Sequence, residues 1–425
     1  MTPATLNPKP AHRLVRVGGD DTYRHAVAAG SYSVYQGNLS GKFDNVRLYW
    51  EDQFTRRILL KPICGLLERR RKPLRVLDLG CGSGQGYEIL LRLERDTLNL
   101  TARHDWILKE GDIDYTGVDL CEAMVAQGRH NYGDNAQVRF GQQDLNEGLG
   151  RHAREAPFDL YFSSYGSLSH LTREPLVNLL AEAVHHGHSG SLVVLDLVGR
   201  YSIEWPQYWS AGTEEEKYRD YSMNYLHLGN PEAMAKAEHF PLRFWSGEEI
   251  PELLSEAEAR AGRRLRAVEV ADRSLLIGRH VDTRHFNPKL HPWRGVVNSL
   301  LEDDRRTDLK ALLVPENAIP AGGPVTAFLR DFTRCWNFLI EFTRRQTEKP
   351  QTLADIEDWS SLPAPLQFAL MSVDRVIGNV GWIHFGDPRA NIIEKQLAYL
   401  LRGLERRMQQ GLGAGHGLVV VAEIG

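Results

Sequence analysis

Cysteine is scarce: the 425 residues hold four, Cys64, Cys81, Cys121 and Cys335, scattered with no C-x-x-C pair among them. That excludes a disulfide framework and the common zinc modules, and it reads as free thiols in a reducing compartment. Long apolar runs are missing, since nothing approaches the ~20 residues of a membrane-spanning helix. The N-terminal stretch also lacks the apolar core of a secretion signal. Neither sign of charge dominates, with 51 Lys and Arg against 55 Asp and Glu and a formal net charge of -4. No global pull toward nucleic acid or an anionic membrane is therefore built in. Internal repeats and low-complexity segments are absent too, which excludes solenoids and disordered chains. What is present is ordinary globular composition, 42% hydrophobic and 25% charged, in a chain long enough for two or three domains. A soluble, cytoplasmic protein is expected.

Residues 1–30 are rich in Pro, Gly and small polar residues and read as a flexible N-terminal arm. Apolar residues at near-helical spacing begin around Asn45 (Val46, Leu48, Trp50, Phe54, Ile58, Ile63), and Pro73 closes the following stretch. The run Leu74-Arg-Val-Leu-Asp-Leu79 then breaks into glycines and is followed by a helix-like segment at 87–93. Strand, glycine turn and helix open a parallel α/β unit. Further strands are expected at 115–119, 137–140, 158–162 and 191–197. The last is the continuous apolar run of a strand buried on both faces. Residues 201–225 concentrate tyrosine and tryptophan and suit a cap over a pocket, so an insertion is expected at about 200–242. Ser246 with Glu249 three positions on is a capping-box pattern, leading to a strand around 266–277. Residues 283–410 read as a helical subdomain, most strongly amphipathic at 326–345 and 392–408. Residues 411–425 end in a β-branched strand, expected to rejoin the main sheet as its antiparallel member.

Glycines at a strand-to-helix turn let a ligand approach the backbone with no Cβ in the way. The dinucleotide fingerprint G-x-G-x-x-G fails in both registers, because Gln85 and Tyr87 stand where its last glycine belongs. Asp78 followed by Gly80, Gly82 and Gly84 remains. In Val76-Leu-Asp-Leu-Gly-Cys-Gly-Ser-Gly-Gln-Gly86 the sequence resembles the first motif of the class I S-adenosylmethionine-dependent methyltransferases. The resemblance covers about residues 45–280 and implies an α/β, Rossmann-like fold: a seven-strand, mostly parallel sheet, here with a helical insertion. On it, residues 31–282 form the cofactor-binding domain, and Asp78, Gly80, Cys81, Gly82 and Gly84 wrap the methionine end of S-adenosylmethionine. Asp119 closes Tyr115-Thr-Gly-Val-Asp, where a carboxylate can accept both ribose hydroxyls; Cys121 replaces the family's usual serine. Leu120 and Met124 flank it. Asp144 and Leu145 fall where the family holds adenine, and Ser163, just after the next strand, is expected among the cofactor-binding residues. Residues 95–112 lengthen this unit beyond the usual.

The acceptor side is read in Ser163-Ser-Tyr-Gly-Ser-Leu-Ser-His170. It lacks N-P-P-Y, a Pro-Cys nucleophile, paired glutamates and a magnesium-binding acid cluster. Adenine, RNA cytosine, protein arginine and catechol-type methylation are thereby disfavoured, and no metal is expected. The segment resembles the small-molecule branch, in which an O or N nucleophile of a metabolite or natural product takes the methyl group and S-adenosylhomocysteine is released. His170 is the general-base candidate, because an imidazole titrates near working pH; a capping or partly buried histidine is the plainer reading. Tyr165 either bonds the substrate or packs under the cap. Tyr32 and Tyr35 are expected in an N-terminal lid, and Trp205, Trp209, Trp245 and Arg273 around the acceptor. RNA or protein acceptors, and a non-catalytic cofactor-binding subunit, stay open as alternatives. The helical segment is open to homodimerisation, to completing the pocket, or to binding a partner.

Overall fold

From Leu74 onward, short apolar runs alternate with helical stretches, and the runs assemble as strands with helices on both faces. The computed structural model describes residues 23–33, 43–95, 105–349, 353–382 and 386–425. Strands β1 (Leu74–Leu79), β2 (Ile113–Asp119), β3 (Val138–Gln142), β4 (Leu160–Phe162) and β5 (Leu192–Gly199) are parallel in the order β3-β2-β1-β4-β5. β6 (Tyr218–Ser222), β7 (His239–Trp245), β8 (Leu265–Arg273) and β9 (Gly417–Ile424) follow. The final strand β9 is antiparallel to both of its neighbours, pairing Leu192–Val198 of β5 on one edge and β8 on the other. The principal sheet therefore reads β3-β2-β1-β4-β5-β9-β8, with one strand reversed.

Among the described residues, two strands more than the expected seven are present. β6 and β7 form an antiparallel ribbon that pairs with β5 where Val198 and Gly199 meet Phe244 and Trp245. The aromatic insertion supplies this pair, and Trp205, Tyr221, Phe240 and Phe244 give it an apolar cluster to fold on.

The period-two alternation of strands sorts the β5 side chains. Val193, Leu195 and Leu197 pack with Leu176, Leu180, Leu253 and Ala257 of the helices Arg173–His186 and Ile250–Ala261. Leu192 and Val194 face Leu59, Ile63, Leu66 and Leu90 from the helices Asp52–Arg69 and Gln85–Leu91. The Ser246–Glu249 box forms with both of its reciprocal bonds, just ahead of the helix it was expected to open.

Helices Thr326–Glu348, Ala364–Asn379 and Glu394–Met408 lie within the 283–410 segment. Trp336, Leu339, Leu370 and Leu401 from them share one core with Val46, Trp50 and Phe54 from the N-terminal side and with Leu275–Ile277 after β8. Trp50 Nε1 donates to Glu405 Oε2 at 2.7 Å inside that core.

The flexible arm expected to reach residue 30 is corrected from Tyr23 on. Helix Arg24–Ala28 follows Tyr23, and Ala26 and Tyr32 are buried against Met124, Tyr221 and Phe240. Aromatic burial under the ribbon holds this stretch in place. Residues 1–22 and Tyr35 lie outside the described residues. No helix among the described residues is long and apolar enough to cross a membrane.

Candidate active site

Strand order reverses at β1, with β2 on one edge and β4 on the other, so the loops after these strands diverge and leave a crevice. Gly80 enters it in the left-handed region (φ 77°), and a Cβ there would sit 2.6 Å from Ser167 Cβ. Only glycine lets the turn pass this close to the loop after β4. The amides of Gly80 and Cys81 both donate to Val118 O, at 2.9 and 3.0 Å, tying the turn to β2. Asp119 ends β2 and accepts from Gly82 N at 2.8 Å and Cys121 N at 2.9 Å. Burial raises its pKa, and these two amides oppose the rise. Asp144 Oδ1 accepts from the amide and side chain of Asn146 at 2.9 and 2.7 Å. Leu120, Met124 and Leu145 add apolar walls. Counted together with its open mouth, the crevice spans about 1330 Å³.

Beyond the glycine turn the crevice continues beneath the ribbon and residues 23–33, lined by Tyr23, Tyr32, Tyr221, Tyr225, Met223 and Phe240. The Tyr23 hydroxyl lies 2.8 Å from His170 Nε2, and the His170 ring centre is 5.0 Å from that of Phe240. Burial lowers the His170 pKa to about 4, so the ring is neutral. Tyr165 holds a left-handed backbone (φ 58°), fixed by its amide donating to Asp196 at 2.7 Å. Its hydroxyl is donated away to Asp52 at 2.9 Å, under the Arg47 guanidinium 3.6 Å from the ring centre. Burial, with Asp52 adding, holds this phenol protonated. Arg273 Nη1 lies 3.2 Å from Asp196, and Arg279 donates to the Tyr225 hydroxyl at 3.2 Å.

Of the residues singled out in the sequence, Gly80, Cys81, Gly82, Asp119, Leu120, Met124, Asp144, Leu145, Tyr32, Tyr165, His170 and Arg273 all line this one crevice. Six do not. Asp78 is wholly buried and accepts from the Tyr115 hydroxyl at 2.5 Å, inside the sheet layer. Gly84 faces the Tyr132 ring. Ser163 still follows strand alternation and is buried, while Ser164 lines the crevice instead. Trp205, Trp209 and Trp245 are core residues: the first two give their indole N–H to Gly199 O and Ser202 O, both at 2.9 Å, and Arg243 lies 3.4 Å over the third. A buried indole with its N–H satisfied, or stacked on a cation, is a packing element.

The crevice also gathers residues that sequence reasoning passed over, notably Tyr23, Arg279 and His416. Local pattern holds no sign of the first two. His416 did have one, the glycine-rich run Gly411-Leu-Gly-Ala-Gly-His-Gly417 that leads into β9. Elsewhere, on the exposed flank of the ribbon, possible ligand atoms of Asp220, His239 and His285 lie within 4.8 Å of one another. Asp220 and His239 there share a hydrogen bond at 2.8 Å.

A reversed strand beside β5, a glycine turn after β1 and a carboxylate at the end of β2 match the Rossmann-like methyltransferase fold. Residues 76–190, from β1 to the threshold of β5, match the family model described as a methyltransferase domain. Over those residues the chain carries a methyltransferase domain. It is similar to a solved S-adenosylmethionine-dependent methyltransferase from Clostridium acetobutylicum, at 14% identity over 59% of this chain and 90% of that one, with a TM-score of 0.35. Similarity also extends to the CcbJ methyltransferase of Streptomyces caelestis, at 15% identity over 55% and 90% of the two chains and a TM-score of 0.33. The PH0226 protein of Pyrococcus horikoshii matches at 15% identity over 60% and 93%, with a TM-score of 0.34. No curated protein matches the chain.

Proposed function

We propose that the crevice binds S-adenosylmethionine and that the enzyme moves its methyl group to an oxygen or nitrogen of a small organic molecule. The observation that carries this is the continuity of one crevice from Asp144 and Asp119, past the open backbone of Gly80 and Gly82, to a chamber roofed by Tyr23, Tyr32 and the ribbon. The residues fit the cofactor. Asp119 suits paired ribose hydroxyls, Leu120, Met124 and Leu145 suit an adenine face, Asp144 suits its amino group, and the glycine turn admits the amino-acid end. S-adenosylmethionine bound there supplies a methyl group on positively charged sulfur. The protein's part is to hold both reactants in line and to exclude water.

The roof favours a small acceptor over a polymer, because Tyr23 and His170 bridge the two sides of the chamber at 2.8 Å and a nucleic-acid or protein strand would have to part them. The four cysteines are free thiols, which suits a reducing, cytoplasmic setting. The test pairs calorimetry with S-adenosylhomocysteine and transfer from methyl-labelled S-adenosylmethionine into separated metabolite, RNA and protein fractions of a lysate. Micromolar binding with label in the metabolite fraction is expected. Label confined to RNA or protein overturns the acceptor class, and no binding at millimolar supply overturns the crevice assignment.

A further inference from the structure

Two histidines line the crevice, and their hydrogen bonds differ in kind. His170 has its Nε2 engaged by the Tyr23 hydroxyl. His416, on the turn before β9, is 4% exposed, and its Nδ1 lies 2.6 Å from Oε2 of Glu204, itself 1% exposed. Glu204 accepts from two further donors: the His280 amide donates to its Oε1 and the Ser202 hydroxyl to its Oε2 at 3.4 Å. An ionised carboxylate can only accept, so the proton in the His416–Glu204 bond sits on Nδ1. In a neutral ring that leaves Nε2 as a bare lone pair. Among the described residues nothing hydrogen-bonds it, and the ring that carries it lines the crevice. Gly278 keeps the pair intact, since a Cβ there would collide with the Glu204 carboxylate. Trp205, 5.5 Å away between ring centres, and His280, at 6.3 Å, hold the imidazole plane.

We propose that His416 is the general base of the transfer, with Glu204 as its positioning residue, and that the acceptor is a protic nucleophile, an O–H or N–H group that loses its proton as it is methylated. This rests on the methyl-transfer reading above. The acceptor's lone pair forms the new bond to carbon, and the electron pair of the broken carbon–sulfur bond stays on sulfur. The acceptor's proton passes to Nε2, leaving its bonding pair on the methylated atom. A base whose far nitrogen is anchored by a buried carboxylate keeps one tautomer and one orientation through the step. The other groups facing the pair are Asp196 with Arg273, Arg279 with Glu51, and the neutral rings of Tyr221 and His280.

Two readouts on the full-length protein test this. In histidine-labelled protein, long-range proton–nitrogen spectra, assigned by loss of the signal in His416→Gln, should show a neutral His416 protonated at Nδ1. A proton on Nε2 in the wild type overturns the proposal whatever the acceptor. In the metabolite-labelling assay, His416→Gln should keep S-adenosylhomocysteine affinity within about twofold while the transfer rate falls roughly 100-fold or more. Glu204→Gln should lower the rate and mix the tautomers, and Glu204→Asp should restore part of both. Acidification should slow the wild type and leave the residual His416→Gln rate unchanged. Transfer by His416→Gln at the wild-type rate and pH profile overturns the base while leaving the crevice assignment standing; a wild type that binds no S-adenosylhomocysteine overturns both.

Discussion

Two carboxylates in the same neighbourhood, Asp78 and Asp119, separate a burial effect from a binding effect. Asp119 lines the crevice with both oxygens on backbone amides, and Asp119→Ala should weaken S-adenosylhomocysteine binding by roughly 1–3 kcal/mol. Asp78 is wholly buried and does not line the crevice. Burial, opposed by the Tyr115 bond and reinforced by Asp119, raises its pKa to about 7. An acid raised in the folded state favours the protonated form, so the native state loses stability as pH climbs from the unfolded value toward 7. The loss is about 4 kcal/mol at most. Asp78→Asn should therefore stabilise the protein at pH 8, change little at pH 4, and leave affinity unaltered. Thermal melts at the two pH values and calorimetry check all three. A drop in affinity like that of Asp119→Ala would put Asp78 back among the binding residues. The glycine turn and Asp119 were legible because strand, turn and terminal carboxylate are consecutive in the chain. The burial of Asp78 against Tyr115 was not, because strand alternation does not say which buried neighbour a side chain meets.

At the scale of elements, the ribbon and the helix Ile250–Ala261 hang on one buried ionic knot. Glu249 closes the capping box with Ser246 and pairs with Arg243 at 2.8 Å and Lys217 at 2.8 Å. Burial opposes its ionisation, but Arg243 and the donors of Lys217 and Ser246 outweigh burial and hold its pKa at about 2. A depressed acid contributes stability that is full above the unfolded pKa and drains as pH falls toward the folded one. That window runs here from about 4.5 down to 2, and the contribution is about 3 kcal/mol at most. Glu249→Gln should lose a few kcal/mol at pH 7 and show a shallower acid limb in urea unfolding; a limb as steep as the wild type's would mean the knot contributes nothing. The capping box was readable because its two partners stand three residues apart. Arg243 and Lys217 were not, because only the ribbon's antiparallel pairing brings them to it. The same holds for Trp205, Trp209 and Trp245: an aromatic stretch looks alike whether it faces a ligand or a core, and packing decides which.

For the molecule as a whole, we propose that the helical segment and the sheet domain fold as one cooperative unit. Trp50, 1% exposed, joins them in a common core and donates its indole N–H to Glu405. Trp50→Ala should cost about 3–5 kcal/mol and lower a single unfolding transition, seen together by far-ultraviolet dichroism and tryptophan fluorescence; two separated transitions would show independent units instead. By itself the sequence determined the α/β alternation, the glycine turn, the carboxylates that line the crevice and the strand character of residues 417–424, because each depends on residues close together in the chain. Tertiary structure alone decided that Tyr23 reaches back over the crevice to His170, that the tryptophans serve packing, and that His416 meets Glu204 from 212 positions away. Such pairings are set by how strands order in a sheet and which faces bury, and those are properties of the whole fold that no local spacing encodes.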